Sequence, residues 1–294
     1  MFALPLTLAL AAVAAEPQQP LSPPAAGLVT TEYAFAAKAA QDGTRAAFLA
    51  NYHQDGLYYI PRPVNGVAYF KTQLEFDTLL AWAPTKAEVS SAGDLGYTTG
   101  PWTFKLNKNE KGTEPSAFGW YISVWGRDNG GPWKVLLDIG ISTPDPKDLP
   151  VQPVALPNPK AAAPAATGTP KASPELESLE AAFSSAAASN ITSAYTKYVD
   201  EGSRLYHAGR FPQEGVKSLP RYLDPWPVSF KVEGSYIASS GDLGMTRGLL
   251  TRTENPGKPN AKVTQAHFVH VWRKVGNAWK LAVEVEGLPL QPKK

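Results

Sequence analysis

The side chains of this sequence best suited to moving a proton are two acids, Asp138 and Glu284, and four histidines, His53, His207, His267 and His270. Asp138 ends the run Trp133-Lys134-Val135-Leu136-Leu137-Asp138, and Glu284 ends Trp279-Lys280-Leu281-Ala282-Val283-Glu284. Both runs have the β-branched and aromatic content of a strand. Strict alternation puts Trp133, Val135, Leu137 and Ile139 on one face and Lys134, Leu136 and Asp138 on the other. If the second face meets an apolar pocket, burial raises the Asp138 pKa and suits it to proton transfer. If it meets water, Lys134 and Asp138 are surface charges. The matching face of the second run, Lys280, Ala282, Glu284 and Glu286, reads as wet.

His267 and His270 are three apart on one expected strand, so they point to opposite faces and cannot share a metal. His270 shares a face with Phe268 and Trp272 and is the better pocket histidine; its other reading is a core histidine. His53 reads as surface, and His207 sits beside Tyr206 on an aromatic strand. No His-Glu-x-x-His spacing occurs, and neither a metal nor a cofactor is expected. Tyr59 and Arg62 recur as Tyr206 and Arg210 with one residue inserted. A tyrosine hydroxyl in an apolar pocket could stabilise an oxyanion, and a nearby arginine could hold a carboxylate. No acid–acid or His–Asp pair common to both runs is visible. No Gly-x-Ser-x-Gly, P-loop or dinucleotide fingerprint stands in a suitable context.

These residues need elements to position them, and the elements come twice. Ser91-Ala92-Gly93-Asp94-Leu95-Gly96-Tyr97-Thr98-Thr99-Gly100 matches Ser239-Ser240-Gly241-Asp242-Leu243-Gly244-Met245-Thr246-Arg247-Gly248 at an offset of 148. Phe35 pairs with Phe183 at the same offset, Trp125 with Trp272 at 147, and Trp133 with Trp279 at 146. A period near 150 is duplication of a whole domain; solenoid repeats run about 20–50 residues.

Each copy reads as an amphipathic helix (Leu28, Phe35, Ala39; Leu176, Leu179, Phe183, Ala186), then a short second helix with Phe48 and Tyr52 or Tyr195 and Val199. An aromatic strand follows Asp55-Gly56 or Glu201-Gly202. A third helix is expected over Val67 to Trp82, with its counterpart cut short by Pro220 and Pro225. Three long strands close each copy, with hairpin turns at Asp128-Asn129-Gly130-Gly131 and Gly276-Asn277. Helices first and an antiparallel sheet last is an α+β order.

The expected divisions are a signal peptide at 1–15, a disordered lead at 16–26, a first domain at 27–142, a Pro/Ala-rich linker at 143–173 and a second domain at 174–290. The apolar stretch Phe2 to Ala15 is shorter than the roughly 20 residues of a membrane-spanning helix. With Ala12-Val13-Ala14 it fits an export signal, although no basic residue precedes it, and it implies a periplasmic or secreted protein. The 294 residues hold no cysteine, which excludes disulfides, zinc–thiolate sites and cysteine nucleophiles. The net charge is +2: residues 30–145 carry −2 and residues 174–294 carry +3, with no basic run. Nucleic-acid binding is therefore not expected, nor any membrane association once the signal is removed.

Each copy resembles the nuclear-transport-factor-2-like fold, in its SnoaL-like and ketosteroid-isomerase-like branch. The resemblance rests on the two-helix opening, the tyrosine strand after Asp55-Gly56, Gly93 to Gly100 on a long strand, Val124-Trp125, and Trp133 to Asp138 in the last strand. It covers about 115 residues of each copy. It implies two tandem cones, each a strongly curved antiparallel sheet wrapped around N-terminal helices, with an apolar pocket at the open end. Members that are enzymes use a pocket carboxylate or a His–Asp set, and many pair through their sheets. The candidate positions for ligand contact are Tyr59, Arg62, Tyr97, Trp125, Tyr206, Arg210 and Trp272. Asp138, Tyr59, Glu284 and His270 are the catalytic candidates.

Three functions remain open. The chain binds a small apolar ligand or a protein partner without catalysis. One copy is a lyase or isomerase acting on a hydroxy or keto compound, with Asp138 as base and Tyr59 as donor. Or the two domains pair with each other, or in a homodimer, as a purely structural module.

Overall fold

A computed structural model of the chain describes residues 22–106, 114–147 and 167–291. The expected signal peptide, residues 16–21 of the lead and 148–166 of the linker lie outside the described residues. Helix α1 (Pro23–Asp42) starts with proline in its first turn, where a missing N–H leaves no hydrogen bond unmade, and stops at Gly43, φ 93°. Its stripe of Leu28, Phe35 and Ala39 is buried. The helix begins inside the segment expected to be disordered, because Ala25 and Ala26 also have an apolar face to bury. Helix α2 (Thr44–Asn51) ends one residue before Tyr52, which opens strand β1 (Tyr52–Tyr59) in extended conformation.

After β2 (Pro63–Asn65), Asn65 caps helix α3 (Gly66–Thr72) by accepting from the Ala68 N–H at 2.8 Å. The single helix expected over Val67–Trp82 is therefore only its first half. Thr78–Trp82 is strand β3, with Trp82 opposite Trp102. A short apolar run such as Leu79-Leu80-Ala81-Trp82 fits either state, and the waiting partner strand decides it. Strands β4 (Lys86–Val89), β5 (Leu95–Leu106), β6 (Ala117–Gly126) and β7 (Lys134–Thr143) complete the first unit.

The second unit repeats this order: α4 (Pro174–Ser189), α5 (Ile191–Tyr198), β8 (Arg204–His207), β9 (Gln213–Glu214), α6 (Leu219–Tyr222), β10 (Val228–Ile237), β11 (Leu243–Glu254), β12 (Lys262–Val275) and β13 (Ala278–Pro289). Ser173 caps α4, and Asn190 caps α5. The fold is α+β, with two separate sheets, each carrying its own helices. Their strand orders are β2-β1-β7-β6-β5-β3, with β4 also on β5, and β10-β11-β12-β13-β8-β9. Pairing is antiparallel except where β1 meets β7 and β8 meets β13, which run parallel. No described helix is long and apolar enough to cross a membrane.

One face of each sheet closes over its helices. Gly96 and Gly244 make this contact possible: a Cβ there would come within 2.7 Å of Leu28 and 2.3 Å of Leu176. The opposite faces of the two sheets share one core, with Ile122, Val124, Leu137 and Ile139 packed together with Val269, Val271, Val283 and Val285. Both faces of the central strands are thus dry.

The repeated Gly-Asp-Leu-Gly turns join the units reciprocally. Gly93 and Gly241 take φ of 74° and 69°, a conformation a Cβ would strain. Asp94 accepts from the Ser239 backbone N–H at 2.8 Å, and Asp242 accepts from the Ser91 N–H at 2.9 Å. These are equivalent contacts exchanged between the copies, the pattern of a two-fold interface. Around them, Arg273 pairs with Glu88 at 2.7 Å, and the Tyr206 and Thr99 hydroxyls lie 2.9 Å apart.

Asp94 is fully buried. Asp94→Ala leaves the Ser239 N–H and the Ser90 hydroxyl without their acceptor, and should cost about 1–3 kcal/mol in urea unfolding. Asp55→Ala, at an exposed side chain, should stay within about 0.5 kcal/mol. Equal small losses at both positions would contradict the joining role of the turn.

Candidate functional site

The placement of Asp138 is set by one extra residue. Along the β6–β7 ladder Val124 faces Leu137, but the next pair is Trp125 with Val135, so Leu136 is bulged out. Along β12–β13 the same happens: Val271 faces Val283 and Trp272 faces Leu281, which bulges Ala282. A bulge reverses the alternation beyond it. Val135 and Leu281 pack with the helices, whereas Leu137 and Val283 pack between the sheets. Asp138 and Glu284 therefore turn into their cones. The expected grouping of Val135 with Leu137 is corrected by this register shift. So is the wet reading of the second strand: Glu284 and Glu286 are buried.

In the first unit Asp138 reaches a cavity of about 480 Å³. Its walls are largely aromatic, including Phe48, Tyr58, Tyr69, Trp82, Trp102 and Tyr121. Ser123, opposite Asp138 in the ladder, also lines it. Gly140, two residues on, leaves room for the Trp102 indole, whose nitrogen would lie 3.3 Å from a Cβ there. Leu74 and Phe76 line the cavity yet stay 74% and 65% exposed, which marks its mouth. Burial, and then the charge of Glu32, push the Asp138 carboxyl well above the usual carboxylate range, and Ser123 offsets this only in part.

Glu32 was not foreseen. It sits on α1 one turn before Phe35 with no exposed surface. It accepts from the indole N–H of Trp82 at 2.6 Å, the Thr98 hydroxyl at 2.5 Å and the indole N–H of Trp125 at 3.0 Å. Burial raises its pKa, against the pull of those donors. Glu180 repeats it at an offset of 148, accepting from Thr246 at 2.6 Å and Trp272 at 3.1 Å. Each unit thus has a matched pair of buried acids, Glu32 with Asp138 and Glu180 with Glu284. The expectation that the copies share no acid pair is overturned. The signal was present: a glutamate three residues before each paired phenylalanine, on an otherwise apolar stripe.

The second unit uses its pair differently. His270 is buried between the two acids, its Nδ1 3.0 Å from Glu180 and its Nε2 3.6 Å from Glu284. Burial disfavours the imidazolium, but Glu180 and then Glu284 outweigh it and raise the pKa. Glu284 Oε1 accepts from the Tyr195 hydroxyl at 2.6 Å and the Tyr222 hydroxyl at 3.0 Å. Nearby, Glu286 takes Arg252 and sits 3.3 Å from His207. Burial would raise Glu286, but hydrogen bonds from His207 and Arg252 bring it below its ordinary value.

Of the remaining expected site residues, Tyr59 touches the first cavity, but its ring packs against His267 in the core between the sheets, 5.5 Å between centroids. Its neighbour Tyr58, opposite Asp138 on β7, is the tyrosine that faces the cone. Arg62 is exposed on the β1–β2 turn, and Arg210 pairs with Asp224 at 3.0 Å. Tyr97 and Tyr206 belong to the core between the sheets. Trp125 and Trp272 bind the buried glutamates from within each cone. No group of three or more His, Asp and Glu among the described residues is placed to hold a metal.

A carboxyl whose pKa is higher in the folded than in the unfolded chain binds a proton on folding. Its contribution to stability is fully present below the unfolded value, about 3.9, and is lost as pH rises toward the folded one. Asp138→Asn should therefore melt above the parent at pH 7, and the gap should shrink toward zero as pH falls to about 4. A gap independent of pH would show that Asp138 ionises normally.

Comparison with known proteins gives no matching family model and no match among curated proteins. Solved structures do match at the level of one unit. A putative calcium/calmodulin-dependent kinase II association domain from Exiguobacterium sibiricum is 13% identical, covering 40% of this chain and 93% of its own, with a TM-score of 0.33. An NTF-2 like protein of unknown function from Shewanella oneidensis is 14% identical, covering 39% and 98%, with a TM-score of 0.31. A ketosteroid isomerase-like protein from Erwinia carotovora atroseptica is 19% identical, covering 38% and 98%, with a TM-score of 0.28. The chain itself carries two tandem sheet–helix units of α+β order.

Proposed function

We propose that this protein is a binding protein whose first cone receives one small, largely apolar molecule, with Asp138 as its buried polar contact. The observation that carries this reading is the aromatic cavity of about 480 Å³ with a carboxyl in its wall. Pockets of roughly 300–1,000 Å³ with apolar walls and few polar groups are the form small-molecule sites take. A carboxyl held above its usual range and coupled to a second buried acid disfavours anionic ligands. In the second cone, Tyr195, Tyr222 and His270 already engage the acids, and that unit acts as scaffold. A second reading, a lyase or isomerase acting on a hydroxy or keto compound, is supported by the same carboxyl, which suits acid–base chemistry. Turnover of such a compound that Asp138→Asn abolishes would favour it.

The binding reading is tested by titrating the full chain with uncharged N-phenyl-1-naphthylamine. One site per chain is expected. Trp102→Ala should weaken it roughly tenfold, the effect of removing part of an aromatic wall. Trp279→Ala, outside the cavity, should leave it unchanged. Two sites per chain, or none, would contradict the reading.

Export belongs to the same proposal and is supported by the apolar run Phe2 to Ala15 and the Ala12-Val13-Ala14 pattern. Cell fractionation with N-terminal sequencing should find a mature chain that begins just after Ala14 or Ala15. A chain retained in the cytoplasm with Met1 intact would exclude export.

A further inference from the structure

Asp138 and Glu284 occupy one position in the two units. Each lies two residues beyond the bulged residue of its last strand and faces the equivalent residue of the neighbouring strand, Ser123 or His270. In the second unit that position is engaged by phenols: two tyrosine hydroxyls, from Tyr195 on α5 and Tyr222 on α6, donate to one oxygen of Glu284. On the corresponding helix α2 the place of Tyr195 is taken by Phe48, which has no hydroxyl; α3 brings Phe70, 4.5 Å from Phe48, and Tyr69 to the cavity wall. The first unit thus keeps the acid but carries no hydroxyl at the Tyr195 position, and it has a cavity beside the acid. Two further buried hydroxyls, of Ser123 and Tyr121, stand in the wall of that cavity.

We propose that the first cone binds a planar aryl alcohol, of the phenol or naphthol class, whose hydroxyl donates to Asp138 as the Tyr195 and Tyr222 hydroxyls donate to Glu284. The second unit is the same site occupied by the chain's own side chains. This rests on the reading of the cavity as a ligand site and names the chemistry of that ligand. Stacking surfaces are in place on several sides, from Tyr69, Trp82, Trp102 and Phe104. Specificity for the hydroxyl follows because an acid built to accept it is left unpaired by an analogue that lacks it.

The test titrates the full chain with 2-naphthol, 2-methoxynaphthalene, naphthalene and 2-naphthoate, followed by tryptophan fluorescence and calorimetry. 2-Naphthol should bind at one site per chain, roughly tenfold or more tighter than the ether and the hydrocarbon, a preference of the size one buried hydrogen bond supplies. 2-Naphthoate should bind more weakly than 2-naphthol. Phe48→Tyr installs the hydroxyl that the second unit carries at Tyr195, and should lower 2-naphthol affinity roughly tenfold while leaving naphthalene affinity in place. Asp138→Leu, which removes the acceptor, should abolish the preference for the alcohol, and it serves equally if Phe48→Tyr does not fold. Equal binding of 2-naphthol and naphthalene would overturn the aryl-alcohol assignment while leaving the cavity a ligand site. Failure of every aromatic probe, N-phenyl-1-naphthylamine included, would overturn both.

Discussion

Two-sided burial of the sheets is the constraint on which the rest of the structure depends. One face of each sheet lies against helices, around Trp125 and Val135 in the first unit and Trp272 and Leu281 in the second. The other lies against its twin, through a core of Val, Leu and Ile from both copies. A strand side chain in the middle of either sheet therefore has no wet side to choose. Any polar residue placed there must be hydrogen-bonded, be held uncharged, or open onto a cavity. The Asp94 and Asp242 contacts fix how the two outer faces meet, and they do so through backbone N–H groups that would otherwise be left without an acceptor.

Within that constraint, the bulges at Leu136 and Ala282 decide which compartment receives the acids. Without the extra residue, Asp138 and Glu284 would face the largely apolar layer between the sheets. With it, they face the cones. The two copies then diverge in what satisfies the acid. In the second, His270 and two tyrosines engage Glu284, so the buried acids are matched by donors and by an imidazole between them. In the first, serine replaces the histidine and phenylalanine replaces Tyr195, and the acid faces a cavity. One fold thus holds two buried acids at one position, one answered by tyrosine hydroxyls and one beside a cavity.

The open site is kept at a cost. Asp138 and Glu32 are both buried acids with raised pKa values, and folding must keep at least one of them from ionising freely. Glu32 has a structural return: its oxygens hold Trp82 on β3 and Trp125 on β6, which ties the cavity wall to the core of the cone. Asp138 has no such pair of indole donors.

The duplication, the order of helices and strands, the hairpin turns and the α+β class were legible in the sequence, because they follow from local periodicity and turn chemistry. The strand-end acid was legible as a position but not as a direction, since a single bulged residue reverses which face it meets and leaves no local mark. Tyr59 stands out in the sequence because it recurs as Tyr206, and both belong to the core between the sheets, whereas Tyr58 faces the cone. The helix expected through Trp82 failed because an apolar run takes its state from the strand beside it. Glu32 and Glu180 went unseen because a glutamate on a helix reads as solvated until the tryptophans that donate to it, from strands 50 to 93 residues away, are brought against it. The sequence by itself determined the elements and their repetition, which local chain chemistry sets. Only tertiary structure decided which acids are buried, which are answered by donors and which face an open cavity, because those depend on strand register and on contacts between distant segments.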